Sequence, residues 1–180
     1  MRRALIRFML LFCVMQGSAS RADDVLVSAG GGPQLGADQD NQQVGIDYTF
    51  YEFKRTSRTS LSLGVGYTYL KTDAQFNRRI HAVTVYPELT LTPLSSSLSG
   101  YYAFVRALGP SYLSENMLGS RRQDNHFAFQ AQIGVGYEFS LGDDRSLLAQ
   151  LSLKHFSNAN LFENNDGIDI PLVLNIGIRY

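Results

Sequence analysis

An eight-stranded antiparallel transmembrane β-barrel is the fold this sequence predicts, and three observations carry the prediction. Apolar and polar residues alternate over about eight segments, which is the period of a strand with two unlike faces. The connections between those segments are alternately long and short, the asymmetry of outer-membrane barrels with long external loops and short periplasmic turns. The chain also opens on an export leader and closes on an aromatic residue, Tyr180.

Residues 1–22 begin with Arg2, Arg3 and Arg7, run through an apolar stretch from Phe8 to Met15, and end in Gly17, Ser18, Ala19 and Ser20. That is the pattern of a signal peptide, with small residues that fit cleavage after Ala22 or after Ser20. The apolar stretch is too short to span a bilayer by itself, and the barrel is expected to occupy residues 23–180. Strands are expected at 24 to 32, 43 to 53, 59 to 71, 79 to 92, 99 to 110, 126 to 140, 145 to 157 and 167 to 180. The third sets Leu61, Leu63, Val65, Tyr67 and Tyr69 on one parity against Ser60, Ser62, Gly64, Gly66 and Thr68. In the sixth, the row from Phe127 to Phe139 stands against His126, Gln130, Gln132, Gly134, Gly136 and Glu138. Segments 33 to 42, 72 to 78, 111 to 125 and 158 to 166 are the longer connections; 54 to 58, 93 to 98 and 141 to 144 are the short ones. Both termini are then periplasmic.

After Ala22 no stretch approaches the roughly 20 apolar residues of a transmembrane helix, so the chain crosses a membrane only as a barrel. In the last strand Leu172, Leu174, Ile176, Ile178 and Tyr180 share one parity, opposite Val173, Asn175, Gly177 and Arg179. This ending resembles the C-terminal insertion signal of bacterial outer-membrane proteins, in which Phe is the more usual last residue. A membrane barrel turns its apolar row to lipid, and a soluble barrel such as a lipocalin turns it inward; alternation alone does not distinguish them. The leader, the aromatic terminus and the aromatics near strand ends favour lipid outside. Asp47, Glu138, Lys154 and Arg179 fall on the inward parity, where they can pair. Arg106 shares a parity with Tyr102, Phe104 and Leu108, so either the fifth strand is out of phase in this reading or the charge lies at an interface. Eight strands enclose only their own side chains, which argues against a wide pore. Gly30 to Gly32 and Gly109-Pro110 read as irregular strand ends rather than a ligand loop.

Composition excludes several function classes. The 180 residues are 44% hydrophobic and 18% charged, with sixteen Lys and Arg balancing sixteen Asp and Glu. A net charge of zero without a basic run carries no footprint of a nucleic-acid binder. The only cysteine, Cys13, lies in the leader, so disulfides and thiolate chemistry are not expected in the mature chain. A lipoprotein anchor at Cys13 is disfavoured by the bulky Phe12 before it. The acidic residues are not spaced as a cation cage and a lone strand His supplies one ligand, so no metal is expected.

Three histidines exist. His81 and His126 sit where loops become strands, and an interfacial role suffices for each. His155 lies two residues from Ser157 near the end of the seventh strand, so both project from one side. That side carries Leu147, Ala149, Leu151 and Leu153, the lipid-facing row, at the external end of the strand. An imidazole beside a hydroxyl is the minimum for a serine nucleophile with a general base, although such pairs also arise by chance.

The run His155-Phe156-Ser157-Asn158-Ala159-Asn160-Leu161, followed by Asn165-Asp166-Gly167-Ile168-Asp169, resembles the active-site segment of the lipid A 3-O-deacylase PagL family of outer-membrane serine esterases. The close resemblance covers about the last thirty residues. It implies a cofactor-independent esterase that removes the 3-hydroxyacyl chain at the 3-position of lipid A, with lipopolysaccharide as substrate in the bacterial outer membrane. It also implies Ser157 as nucleophile, His155 as general base and later acid, Asn165 with the backbone N–H of Asn160 as oxyanion hole, and Asn158 as a supporting residue. The family's acid is usually Glu; the matching position here is Asp169, one methylene shorter. Strict parity puts Asp169 on the inward row, but Pro171 cannot donate to the strand ladder and often marks an edge or bulge, so a shift in the register before it would turn Asp169 outward. Glu163 is the rival for the acid.

Two further readings stand beside this one. The chain could be a non-catalytic barrel that binds partners through loops 72 to 78 and 111 to 125, using Arg121, Arg122 and Asp124, or an esterase of phospholipids. A site on the outer wall also leaves a face that a second copy could cover, making a homodimer.

Overall fold

The computed structural model describes residues 18–180 apart from Asp124, Asp143 and Phe162. Most of the expected leader, with Cys13, therefore lies outside the described residues, as does Asp124. Eight long strands close into one antiparallel barrel. They are β1 (Ser18–Pro33), β2 (Asp40–Thr56), β3 (Thr59–Thr72), β4 (Arg79–Leu91), β5 (Tyr101–Leu113), β8 (Phe127–Gly142), β9 (Arg145–Ser157) and β10 (Ile168–Arg179). Each pairs with its neighbour in the chain, and β1 closes the ring against β10 from Asp24–Arg179 to Gly31–Leu172. Strand β1 begins earlier than expected: Ser18 to Arg21 continue it against Lys54 to Tyr51 of β2. The remaining elements are a 3₁₀ turn at Ser96–Leu98 and a small hairpin in the longest loop, β6 (Met117–Leu118) and β7 (Arg121–Arg122).

Which row faces which way is now fixed by burial. Val27, Val65, Val135, Leu151, Leu172 and Ile176 stand exposed on the outer wall, while Asn41, Asp47, Thr84, Gln132, Lys154 and Asn175 are buried inside. An exposed apolar belt around a polar interior is the reverse of a soluble barrel and suits a hydrocarbon surround. No helix among the described residues is long and apolar enough to cross a membrane.

Arg106 resolves in favour of an out-of-phase fifth strand. Tyr102, Phe104 and Arg106 are all buried inside, whereas Leu108 is exposed. The register of β5 against β8 shifts between Arg106 and Gly109, with Leu108 in the left-handed region at φ 56°. One irregularity thus carries Leu108 to the other face. Inside, Arg106 bonds Asp47 (2.6 Å) and Glu88 (2.7 Å) and lies over the Tyr86 ring. Arg179 pairs with Asp24 (2.8 Å) and Glu138 (3.0 Å) nearer the end that carries the C-terminus.

Toward the opposite end the interior turns apolar. Leu70, Ile80, Ala82, Leu113, Ala128, Phe156, Ile168 and Ile170 form one buried cluster with Leu118 of the β6–β7 hairpin. The loops on this side, 34–39, 73–78, 114–126 and 158–167, are longer on the whole than 57–58, 92–100 and 143–144 at the other end, although 92–100, which holds the 3₁₀ turn, is longer than the short turn expected at 93 to 98 and exceeds two of them.

Candidate active site

The candidate residues lie where β9 and β10 reach the long-loop end. His155, Ser157 and Asp169 alternate with Phe156, Ile168 and Ile170, whose side chains are fully buried in the apolar cluster. Packing of the inward partners fixes the strand backbone, and the pleat then sends the polar side chains to the other face. Asp169 pairs directly with His155 across the ladder.

Asp169 reaches that face through a bulge. The register of β10 against β9 shifts between Ile170 and Val173, so Pro171 and Leu172 together oppose one residue of β9. Leu172 and the residues beyond keep their parity, and Asp169 moves from the inward row to the outward one. Gly32, at φ 136°, makes room for Pro171: a Cβ there would lie 2.6 Å from the proline Cγ.

The result is a hydrogen-bonded imidazole–carboxylate pair on the outer wall. His155 Nδ1 lies 2.7 Å from Asp169 Oδ1, with the imidazole side chain 43% exposed and the carboxylate 18%. An acid bound to Nδ1 holds the ring in the tautomer whose Nε2 can accept a proton. Gly167, at φ 68°, lies so close to the ring that a Cβ would come within 2.7 Å of His155 Cε1. The Ser157 hydroxyl makes no hydrogen bond to any described residue, and Ser157 is half-buried. Glu163 is exposed in the loop; the described acid on His155 is Asp169.

The three candidate asparagines, Asn158, Asn160 and Asn165, lie in the adjoining loop. Asn165 Oδ1 accepts from the Asn158 backbone N–H (2.8 Å), which orients its amide so that Nδ2 donates to Asn160 Oδ1 (2.9 Å). Asn160 and Ala159 both adopt positive φ, 58° and 55°. Asn158 is fully buried and clamps the loop by donating to the Asn164 carbonyl (2.6 Å). From the other side, Arg121 Nε donates to the Gly167 carbonyl (3.0 Å), and Arg122 N–H donates to Asp166 Oδ2 (2.8 Å). The other histidines are held away from this site. Tyr67 Oη lies 2.6 Å from His81 Nδ1, and His126 Nδ1 donates to the Leu113 carbonyl (2.8 Å).

A groove of about 400 Å³ borders both His155 and Asp169 on the outer wall. Its floor is shallow-sided because Ala107 of β5 and Ala131 of β8 interrupt the large side chains of Val105, Ile133 and Leu153. Two site residues carried no signal in the sequence. Gln34 and Asn41, from the loop between β1 and β2 and the start of β2, both hydrogen-bond to Asp169.

Residues 42–179 match the family described as lipid A 3-O-deacylase (PagL). The chain belongs to that family. This deacylase is therefore an ester hydrolase acting on lipid A, and its place is the outer membrane. Among solved structures, the outer-membrane enzyme PagL aligns at TM-score 0.60 and 20% identity, over 86% of this chain and 97% of that one, sharing the fold. Neisserial surface protein A aligns at TM-score 0.44 and 16% identity, over 90% and 97% of the two chains. No curated protein matches the deacylase. Family membership sets aside the partner-binding barrel and the phospholipid esterase as primary functions.

Proposed function

We propose that Ser157, His155 and Asp169 carry out the deacylation, with Asn165 and the backbone N–H of Asn160 as the oxyanion hole and Asn158 holding their loop. The observation that supports this reading is the His155–Asp169 pair at 2.7 Å, on the lipid-facing wall and on the same row as Ser157. An ester of lipid A lies at the outer-leaflet interface, so a hydrolase that attacks it there needs its nucleophile on the outside of the barrel near the external rim.

In this mechanism His155 Nε2 takes the Ser157 proton as Oγ attacks the ester carbonyl at the 3-position, and Asp169 stabilises the imidazolium. The carbonyl oxygen becomes an oxyanion, met by the Asn165 amide and the Asn160 N–H. Asn165 spends one amide proton on Asn160 Oδ1 and keeps the other for this contact. Collapse breaks the bond to the sugar oxygen, which leaves with the proton from His155. Water then repeats the sequence on the acyl-serine, releasing the 3-hydroxy fatty acid and restoring Ser157. The groove beside His155 takes the chain being removed.

Mass spectrometry of lipid A from cells expressing wild type or Ser157→Ala tests the nucleophile. Loss of one 3-hydroxyacyl mass with wild type alone is expected, and the same loss with a well-inserted Ser157→Ala protein would refute it. The same reading takes residues 1–22 as a leader removed on export, so N-terminal sequencing of the outer-membrane form should begin at Asp23 or Arg21.

A further inference from the structure

Asp169 is one methylene shorter than the acid usual in the family, and its carboxylate has two oxygens to place. Oδ1 faces His155 Nδ1. Oδ2 accepts from Gln34 Nε2 at 2.5 Å. Gln34 comes from the loop between β1 and β2 and is 3% exposed. Its Oε1 accepts from the Asp169 backbone N–H (2.9 Å) and from Asn41 Nδ2 (2.6 Å), and Asn41 Nδ2 also donates to the Asp169 carbonyl (3.0 Å). Two buried amides therefore grip the carboxylate, the N–H and the C=O of one residue.

The orientation of the Gln34 amide follows from its neighbours. Its oxygen receives two N–H donors, and its nitrogen faces a carboxylate that can only accept. The opposite assignment would set donor against donor twice and oxygen against carboxylate. Behind it, Gln39 Nε2 donates to Asn41 Oδ1 (3.0 Å) and to the Leu118 carbonyl (3.2 Å), while Gln39 Oε1 accepts from the Ser120 N–H (2.9 Å). The network is thus anchored in the β6–β7 hairpin on the far side. A buried carboxylate oxygen without a donor is destabilised, and a freely turning Asp side chain would present Oδ1 to His155 only part of the time.

We propose that Gln34 is a positioning residue of this deacylase, fixing the Asp169 carboxylate so that its other oxygen stays on His155. The proposal rests on the assignment of Ser157, His155 and Asp169 as the catalytic residues. Gln34 touches neither substrate nor nucleophile and acts only through Asp169, so its effect belongs in turnover rather than in substrate binding.

The test uses the full mature chain folded in detergent micelles, with purified lipid A as substrate and the folded fraction measured by its faster migration in unheated gels. Gln34→Met removes the amide, and Gln34→Glu keeps the shape and one acceptor while replacing the Nε2 donor by oxygen. Each should lower kcat about tenfold or more with KM within about twofold. In an Asp169→Ala background, Gln34→Met should lower kcat no further, because the group it positions is gone. Unchanged kcat in folded Gln34→Met and Gln34→Glu proteins would overturn the proposal, as would an undiminished additional loss in the Asp169→Ala background. A fully active Asp169→Ala protein would instead overturn the triad assignment on which it stands.

Discussion

Gly167 has no room for a side chain on two counts. Its φ of 68° lies in the left-handed region, where a Cβ costs about 1 kcal/mol or more, and the methyl would meet His155 Cε1 at 2.7 Å. The imidazole is the softer partner, since it is partly exposed while Gly167 is held by Arg121 through its carbonyl. Gly167→Ala should therefore push the ring off Asp169 and lower kcat roughly 100-fold, the effect of an ångström-scale misplacement. The barrel should still fold, which unheated gel migration checks beside lipid A turnover. At this scale the sequence was readable where neighbours in the chain are neighbours in space. His155 and Ser157 share a face because a strand has period two, and the asparagine loop follows at once. Gln34 lies 135 residues from Asp169, and nothing local to either marks the contact.

Strands were legible because each is long and two-faced. Boundaries for β3, β8 and β9 fall within two residues of expectation, whereas the connection at 92–100 is longer than the short turn expected at 93 to 98 because it folds a 3₁₀ turn of its own. Bulges were not legible with the same certainty, because one extra residue changes the parity of everything on one side and leaves no mark in composition. The bulge in β5 explains Leu108, and the one at Pro171–Leu172 gives Asp169 its outward place. The β6–β7 hairpin, two residues per strand, is too short for any period to register. The groove is also a product of rows rather than of single residues: Ala107 and Ala131 lie among larger outward side chains on neighbouring strands. Ala131→Phe should fill it. Losing the contact of two or three methylenes corresponds to about a tenfold rise in KM or more for a long-chain substrate, with less effect on a short-chain ester. Comparing the two chain lengths on the purified variant checks this, and equal effects would place the chain elsewhere.

Across the whole molecule, the barrel's polar core and apolar wall set different conditions for stability. Exposed Val, Leu and Ile rows gain from lipid, while the interior must satisfy its charges without bulk water. Around Arg106 it does so by balance: two cations, Arg106 and Lys154, against two carboxylates, Asp47 and Glu88, with Lys154 donating to Gln43 (3.2 Å). Breaking such a set by removing one member leaves an uncompensated buried charge, at about 3–5 kcal/mol. Arg106→Met should therefore destabilise the folded barrel by about that amount, measured by urea unfolding from lipid vesicles. Replacing Glu88 as well, in Arg106→Met/Glu88→Gln, leaves Asp47 with Lys154, which is near enough to feel its charge. Most of the loss should return, because neutral polar groups and one balanced pair are tolerable where an unpaired carboxylate is not. If the double variant is no more stable than Arg106→Met, the interior depends on the Arg106 packing over Tyr86 rather than on charge balance.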